Sequence, residues 1–168
     1  MRTGIAFGSN VGDRLEFLQQ GRKAVLSLSS VSGPYHFSSV YETEPVDTEP
    51  GATTFLNAVA EVEFEGHPLA LLDSLQEIEA RLGRPSKRPR NAPRPIDLDV
   101  LYVGNLVLRN EEIVIPHPRL HMRGFVLQPL AEIRPDLVLP GQEQTVAELL
   151  DALHDTSAVE RYTEEWTA

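Results

Sequence analysis

Hydrophobic and polar positions switch between two periods along the chain, and the switches mark out its elements. Residues 4–7 (GIAF) read as a first strand, closed by the turn-formers Gly8, Ser9 and Asn10. Over residues 13–28, Leu15, Leu18, Val25 and Leu28 recur at helical spacing, with Ala24 as a small filler. Residues 35–41 are aromatic and β-branched and predict a second strand; a polar stretch with Pro45, Pro50 and Gly51 follows. Residues 55–64 alternate, with Ala58, Ala60, Val62 and Phe64 on one face and Val59, Glu61 and Glu63 on the other. Pro68 opens a second helix, in which Leu71, Leu72, Leu75, Ile78 and Leu82 repeat at helical spacing.

Ile96, Leu98 and Val100 then alternate with Asp97 and Asp99 in a strand that runs to Val103. A short strand over 106–108, a helix over 124–132 that stops before Pro135, and a last amphipathic helix over 146–153 complete the pattern. An acidic tail ends it. The core order is β-α-β-β-α-β. It predicts an α+β, ferredoxin-like fold: an antiparallel sheet with helices packed on it, plus C-terminal additions over 141–168. The length of 168 residues predicts one domain, large enough to bury a core without staples. Such a fold hosts many functions, so function has to be read from side chains.

Composition narrows the classes. The chain is 41% hydrophobic and 24% charged, ordinary for a globular protein. It has no cysteine, which excludes disulfides, thiolate zinc sites and a cysteine nucleophile. No run approaches the roughly 18 apolar residues of a membrane span, and the N-terminus lacks the features of a secretory signal. The expectation is a cytoplasmic monomer without membrane or nucleic-acid partners.

The formal charge of −10 hides an uneven distribution. Arg81, Arg84, Lys87, Arg88, Arg90 and Arg94 form an acid-free cluster, interleaved with Pro85, Pro89, Pro93 and Pro95. The prolines forbid a regular helix there and predict an extended loop. That loop runs into the strand bearing Asp97 and Asp99. Residues two apart on a strand share a face, about 6.5–7 Å apart. Two carboxylates so placed can bracket divalent ions such as Mg²⁺, whose remaining positions water and phosphate fill. Carboxylates for metal beside guanidiniums for phosphate suit nucleotide phosphoryl or pyrophosphoryl transfer. An RNA-binding module built on the same loop is the competing reading, but only 7% of residues are aromatic and the remainder is acidic. No P-loop occurs, and His117 and His121, four apart, sit beside Pro116 and Pro118, which disfavour the helix that a zinc pair needs.

Four segments in order sharpen this: GSNVGDR (8–14), FLNAV (55–59), RPIDLDVL (94–101) and IPHPRLHMRGFVLQPLAEI (115–133). Together, over about residues 3–140, the chain resembles the 6-hydroxymethyl-7,8-dihydropterin pyrophosphokinases of folate biosynthesis. The resemblance implies transfer of the β,γ-diphosphate of ATP to the pterin hydroxymethyl group, releasing AMP. It implies that Asp97 and Asp99 hold two Mg²⁺ ions, and that Arg84, Arg94, His117 and Arg123 contact the triphosphate. Gln76, Glu79, Val100 and Ile113 would lie by the nucleotide. Phe55 and Phe125 would sandwich the pterin, with Asn57 and the backbone of Thr43, Glu44, Pro45 and Val46 reading its edge and Asp97 also lying against it. The chain has Asn91 where many members carry an aromatic, and Pro118 at a position that is sometimes aromatic.

Overall fold

The computed structural model describes residues 1–44, 53–83, 94–153 and 158–167. Strand β1 (Arg2–Ser9) is followed by α1 (Arg14–Leu26), β2 (Val31–Phe37), β3 (Val40–Thr43), β4 (Phe55–Phe64), α2 (Pro68–Arg81) and β5 (Asp97–Val103). A small hairpin, β6 (Leu108–Arg109) with β7 (Val114–Ile115), leads through a 3-10 turn (Leu120–Met122) into α3 (Gly124–Ile133), α4 (Val146–Ala152) and β8 (Val159–Thr163). The main sheet is antiparallel in every pair, in the order β5-β1-β4-β3-β8, with β2 also paired to β4.

The alternation seen in the sequence divides the sheet into two faces. Ile5, Phe7, Ala58, Ala60, Val62, Leu98 and Val100 share one core with Leu18 and Val25 of α1 and Leu71, Leu75 and Ile78 of α2. On the other face Val59, Leu101 and Tyr102 pack with Val126, Leu127 and Leu130 of α3 and Val146 and Leu149 of α4. Local signals set the helix ends. Asp13 caps α1 by accepting from the Glu16 N–H at 3.1 Å, Pro68 stands in the first turn of α2, and Thr145 and Glu148 form a reciprocal capping box on α4.

Four features differ from the sequence reading. The strand expected over 35–41 is two strands, broken at Ser38 and Ser39. There the Ser38 hydroxyl accepts from the Val59 N–H at 2.8 Å, and Glu132 of α3 accepts from both the N–H and the hydroxyl of Ser39. Along β5, Ile5 faces Val100 but Gly4 faces Tyr102, so Leu101 is an extra residue. The bulge turns Tyr102 onto the α3 face, where its ring lies against the backbone of Gly4; a Cβ there would sit 2.4 Å from the ring. The acidic tail contains β8, an edge strand on β3, followed by Trp166, which is buried. The short strand expected over 106–108 begins only at Leu108.

Candidate active site

The site starts from the strand register. Gly8 of β1 lies between Asn57 of β4 and Asp97 of β5, and Ala6 lies between Val59 and Asp99. Directly opposed residues share a face, so Asn57, Asp97 and Asp99 project from the face that α3 covers. A Cβ at Gly8 would come within 3.0 Å of Asn57 Oδ1, 3.8 Å of the Phe55 ring and 3.9 Å of Asp97 Cβ. Glycine therefore keeps a floor between a polar amide, an aromatic ring and a carboxylate.

Asn10, one step beyond β1, fixes the start of the Asp-bearing strand. Its Oδ1 accepts from the Arg94 N–H at 2.7 Å, and its own N–H donates to the Arg94 carbonyl at 3.1 Å. Its carbonyl accepts from the Thr53 hydroxyl. Arg94 in turn places Nη1 3.4 Å from Asp97 Oδ2 and its guanidinium carbon 5.6 Å from the centre of the Phe55 ring. Arg14 pins the neighbouring chain, donating to the Thr54 carbonyl at 3.0 Å and pairing with Glu42 at 3.0 Å. Gly8, Asn10 and Arg14 all belong to the GSNVGDR segment. That motif was visible in the sequence, but individual roles for these residues needed the contacts.

On β4 the Asn57 amide donates to the Thr43 hydroxyl at 2.7 Å, which orients it along β3. Phe55 and Phe125 are both half-buried, the latter at the start of α3 with the Arg123 guanidinium carbon 5.3 Å from its ring centre. The carboxylate of Glu79, buried on α2, accepts from the Leu98 N–H at 3.0 Å and ties α2 to the outer edge of β5. Gln76, one turn earlier, is exposed, as is Glu44. The side chains of Val100 and Ile113 belong to the core on the α1/α2 face, opposite the aspartates. Any nucleotide contact from Val100 would therefore have to come from its backbone. Arg84, Pro45, Val46 and Asn91 lie outside the described residues. Pro118 is exposed.

His117 accepts from the Arg119 N–H through Nδ1 at 3.2 Å, which leaves Nε2 to carry the proton of the neutral ring. Burial, reinforced by Arg123 and Arg119 and opposed by Asp97, pushes its pKa down to about 4. It is thus a neutral hydrogen-bond donor at physiological pH. Arg123 is lowered from the usual arginine range by burial and Arg119, with Asp99 and Asp97 opposing. His121 lies in the 3-10 turn and His117 before it, so the two do not share an α-helical face.

Metal chemistry fits the donor set. Asp97 and Asp99 present hard oxygen ligands from one face of β5, and among the described residues no group of three or more His, Asp or Glu surrounds them or any other point. One or two carboxylates are what Mg²⁺ takes when phosphate and water complete its shell. Next to Asp97, Arg94 Nε and, on the residue that clamps Arg94, Asn10 Nδ2 are buried with no hydrogen-bond partner among the described residues. Buried donors that lack acceptors are costly alone and suit an oxygen-rich anion.

A half-open face lined by paired carboxylates, arginines, a neutral histidine and two half-buried aromatic rings, on a mixed α/β fold, has the chemistry that a phosphate-transferring enzyme needs. The model of the 7,8-dihydro-6-hydroxymethylpterin-pyrophosphokinase family matches residues 4–135. A Haemophilus influenzae 2-amino-4-hydroxy-6-hydroxymethyldihydropteridine pyrophosphokinase is 42% identical over 154 residues, covering 90% of this chain and 92% of that one. The Methylorubrum extorquens protein of the same name is 41% identical over 163 residues, covering 95% and 98%. The chain belongs to this family, the pyrophosphokinases of folate synthesis, which transfer pyrophosphate to hydroxymethyldihydropterin.

Solved structures agree on the fold. An HPPK-DHPS in complex with substrates superposes with a TM-score of 0.72 at 14% identity, and wild-type Plasmodium falciparum HPPK-DHPS with pteroate at 0.67 and 14%. They cover 90% and 89% of this chain, which spans 44% and 42% of theirs. No helix among the described residues is long and apolar enough to cross a membrane.

Proposed function

We propose that the transferred group is the β,γ-diphosphate of ATP, that AMP is the leaving product, and that two Mg²⁺ ions are held by Asp97 and Asp99. The observation that carries this reading is the pair of aspartates sharing a face beside buried donors of Arg94 and Asn10 that have no partner among the described residues. Magnesium bound there would neutralise charge on the phosphates and orient the chain of phosphorus atoms. Arg94, Arg123 and the Nε2–H of His117 would ligate triphosphate oxygens, with Arg84 joining from the basic segment. Gln76 and Glu79 on α2, the backbone of Val100 and the neighbourhood of Ile113 would border the nucleotide.

The pterin would stack between Phe55 and Phe125, since flat heteroaromatics favour offset aromatic faces. Asn57, oriented by Thr43, would read its edge, together with the backbone of Thr43, Glu44, Pro45 and Val46. The hydroxymethyl oxygen then forms its bond to the β-phosphorus in line with the bond to the α–β bridging oxygen. That bond breaks, AMP leaves with the bridging oxygen, and the hydroxyl proton passes to solvent. Positioning and fixed charge supply most of the acceleration. Phosphorus NMR of the products tests this: AMP and a pterin diphosphate ester are expected, whereas ADP with a pterin monophosphate would contradict it.

The sheet order and helix placement support reading the core as ferredoxin-like, with β2 and β3 together filling one strand position. We also infer a cytoplasmic monomer of one domain.

A further inference from the structure

The C-terminal residues 159–167 are held in an unusual way. In β8, Glu160, Arg161 and Tyr162 are exposed and Val159 and Thr163 only half-buried, so the strand has little core of its own. It pairs with β3 in the register Thr43↔Val159, Glu42↔Glu160 and Tyr41↔Arg161. What fastens the segment lies beyond the strand. Trp166 is 1% exposed, its ring edge-on to Phe7 at 5.2 Å and Phe37 at 5.9 Å, and its indole N–H donates to the Ser38 carbonyl at 2.8 Å. The Arg22 guanidinium carbon sits 3.4 Å from the centre of the Phe37 ring and 5.0 Å from that of Trp166, and Gln19 donates to the Thr167 carbonyl at 3.2 Å. A weak strand is thus anchored by one large aromatic.

The strand it supports is short and sits at the pocket. β3 has four residues, paired on one side to β4 and on the other to β8. Its last residue, Thr43, faces Phe55 and accepts the hydrogen bond that orients Asn57. Without β8, β3 would be a four-residue sheet edge, with one row of backbone groups exchanging with water. We propose that residues 159–167 act as a clasp that positions the pterin pocket, Trp166 being the anchor and the β8–β3 ladder the lever on Thr43 and Asn57. Trp166 is a positioning residue and not a catalytic one. This rests on the assignment of Asn57 and Thr43 to the pterin.

The clasp predicts a selective defect, because the nucleotide groups Arg94, Asp97, Asp99 and His117 stand on other elements. Successive N–H groups of a strand point to opposite edges, so only one of Glu160 and Arg161 donates toward β3. Glu160→Pro and Arg161→Pro therefore form a matched pair, one removing a ladder donor and the other a solvent-facing one. Arg161→Ala keeps the N–H and controls for the lost side chain. Steady-state kinetics should show a rise of about fivefold or more in KM for the hydroxymethyl-dihydropterin in the ladder-facing proline variant. KM for ATP and kcat should stay within about twofold. Trp166→Ala should give the same split, largely restored in Trp166→Phe. Hydrogen exchange over residues 40–43 should accelerate in the ladder-facing variant. Unchanged exchange, an unchanged pterin KM, or equal rises in both KM values would overturn the clasp. Failure of the wild-type protein to turn over the pterin would instead defeat the functional assignment, leaving the exchange result to judge the clasp alone.

Discussion

Two acidic clusters stand on the same face of the same sheet, and their difference separates structure from chemistry. Glu61 of β4 is 1% exposed. It accepts from the Tyr102 hydroxyl and from Arg2, each at 2.6 Å, and from Arg134. Its environment is closed: burial and the Glu61 carboxylate hold the Tyr102 hydroxyl far above its ordinary pKa. Asp97 and Asp99 lie toward the other end of the sheet, next to arginines as well, but Asp97 keeps a quarter of its side chain exposed, and Arg94 beside it has a buried Nε with no partner among the described residues. A carboxylate among arginines is thus structural where the protein supplies every partner. Where a neighbouring buried donor is left over, the same grouping suits an added anion, as the proposed phosphate site requires.

Replacing either group breaks the comparison in opposite directions. Asp97→Ala and Asp99→Ala should each lose magnesium-dependent turnover by about 10⁴-fold, ~5.5 kcal/mol of transition-state stabilisation. Their melting temperatures should stay near that of the wild type, as calorimetry alongside the assay would show. Retained activity in both would remove the metal assignment. Glu61→Ala should instead cost about 3–5 kcal/mol of stability, because it leaves Arg2, Arg134 and the Tyr102 hydroxyl without their acceptor. Denaturant unfolding measures this, and kcat well below the melting temperature should be nearly unchanged. A stable Glu61→Ala protein would mean that the closed cluster contributes nothing net.

How much of this was legible in the sequence follows from which residues bury a face. α1 and α2 carry clear periodicity because each packs one stripe on the core, and β5 alternates up to its bulge, so the shared face of Asp97 and Asp99 followed from it; β1 and β4 read as strands from their apolar runs, buried on both faces. β8 left no such signal: the sequence VERYT is exposed over its middle three positions, and its place is set by pairing and by Trp166. The bulge at Leu101 was equally hidden, since Tyr102, the residue that it turns to the α3 face, has a large hydrophobic ring that would fit either face. Asn10 read as a turn-former. Its clamp on Arg94 joins positions 84 residues apart, which no local pattern reports.

Smaller effects sharpen the same contrast. Asn10→Ala removes the acceptor for the Arg94 N–H and should lower kcat/KM by about 10- to 30-fold, ~1.4–2 kcal/mol, with a stability loss of similar size. An unchanged kcat/KM would show that Arg94 is positioned without it. The effect of His117 depends on pH. Its folded-state pKa of about 4 lies below the ordinary 6.5. As pH falls the unfolded chain takes up the proton first, so stability declines below pH 6.5 and the loss levels off below about pH 4. Denaturant midpoints at pH 7 and pH 5 should differ less in His117→Gln than in the wild type. Equal differences would mean that the histidine titrates normally.

The open cluster is proposed to transfer the diphosphate of ATP to a pterin held in the same site. AMP release from ATP and Mg²⁺, followed with and without hydroxymethyl-dihydropterin, tests it most directly. AMP should form in proportion to the pterin supplied and stop when the pterin is exhausted. Release that does not depend on the pterin, or no release with both substrates present, would contradict it.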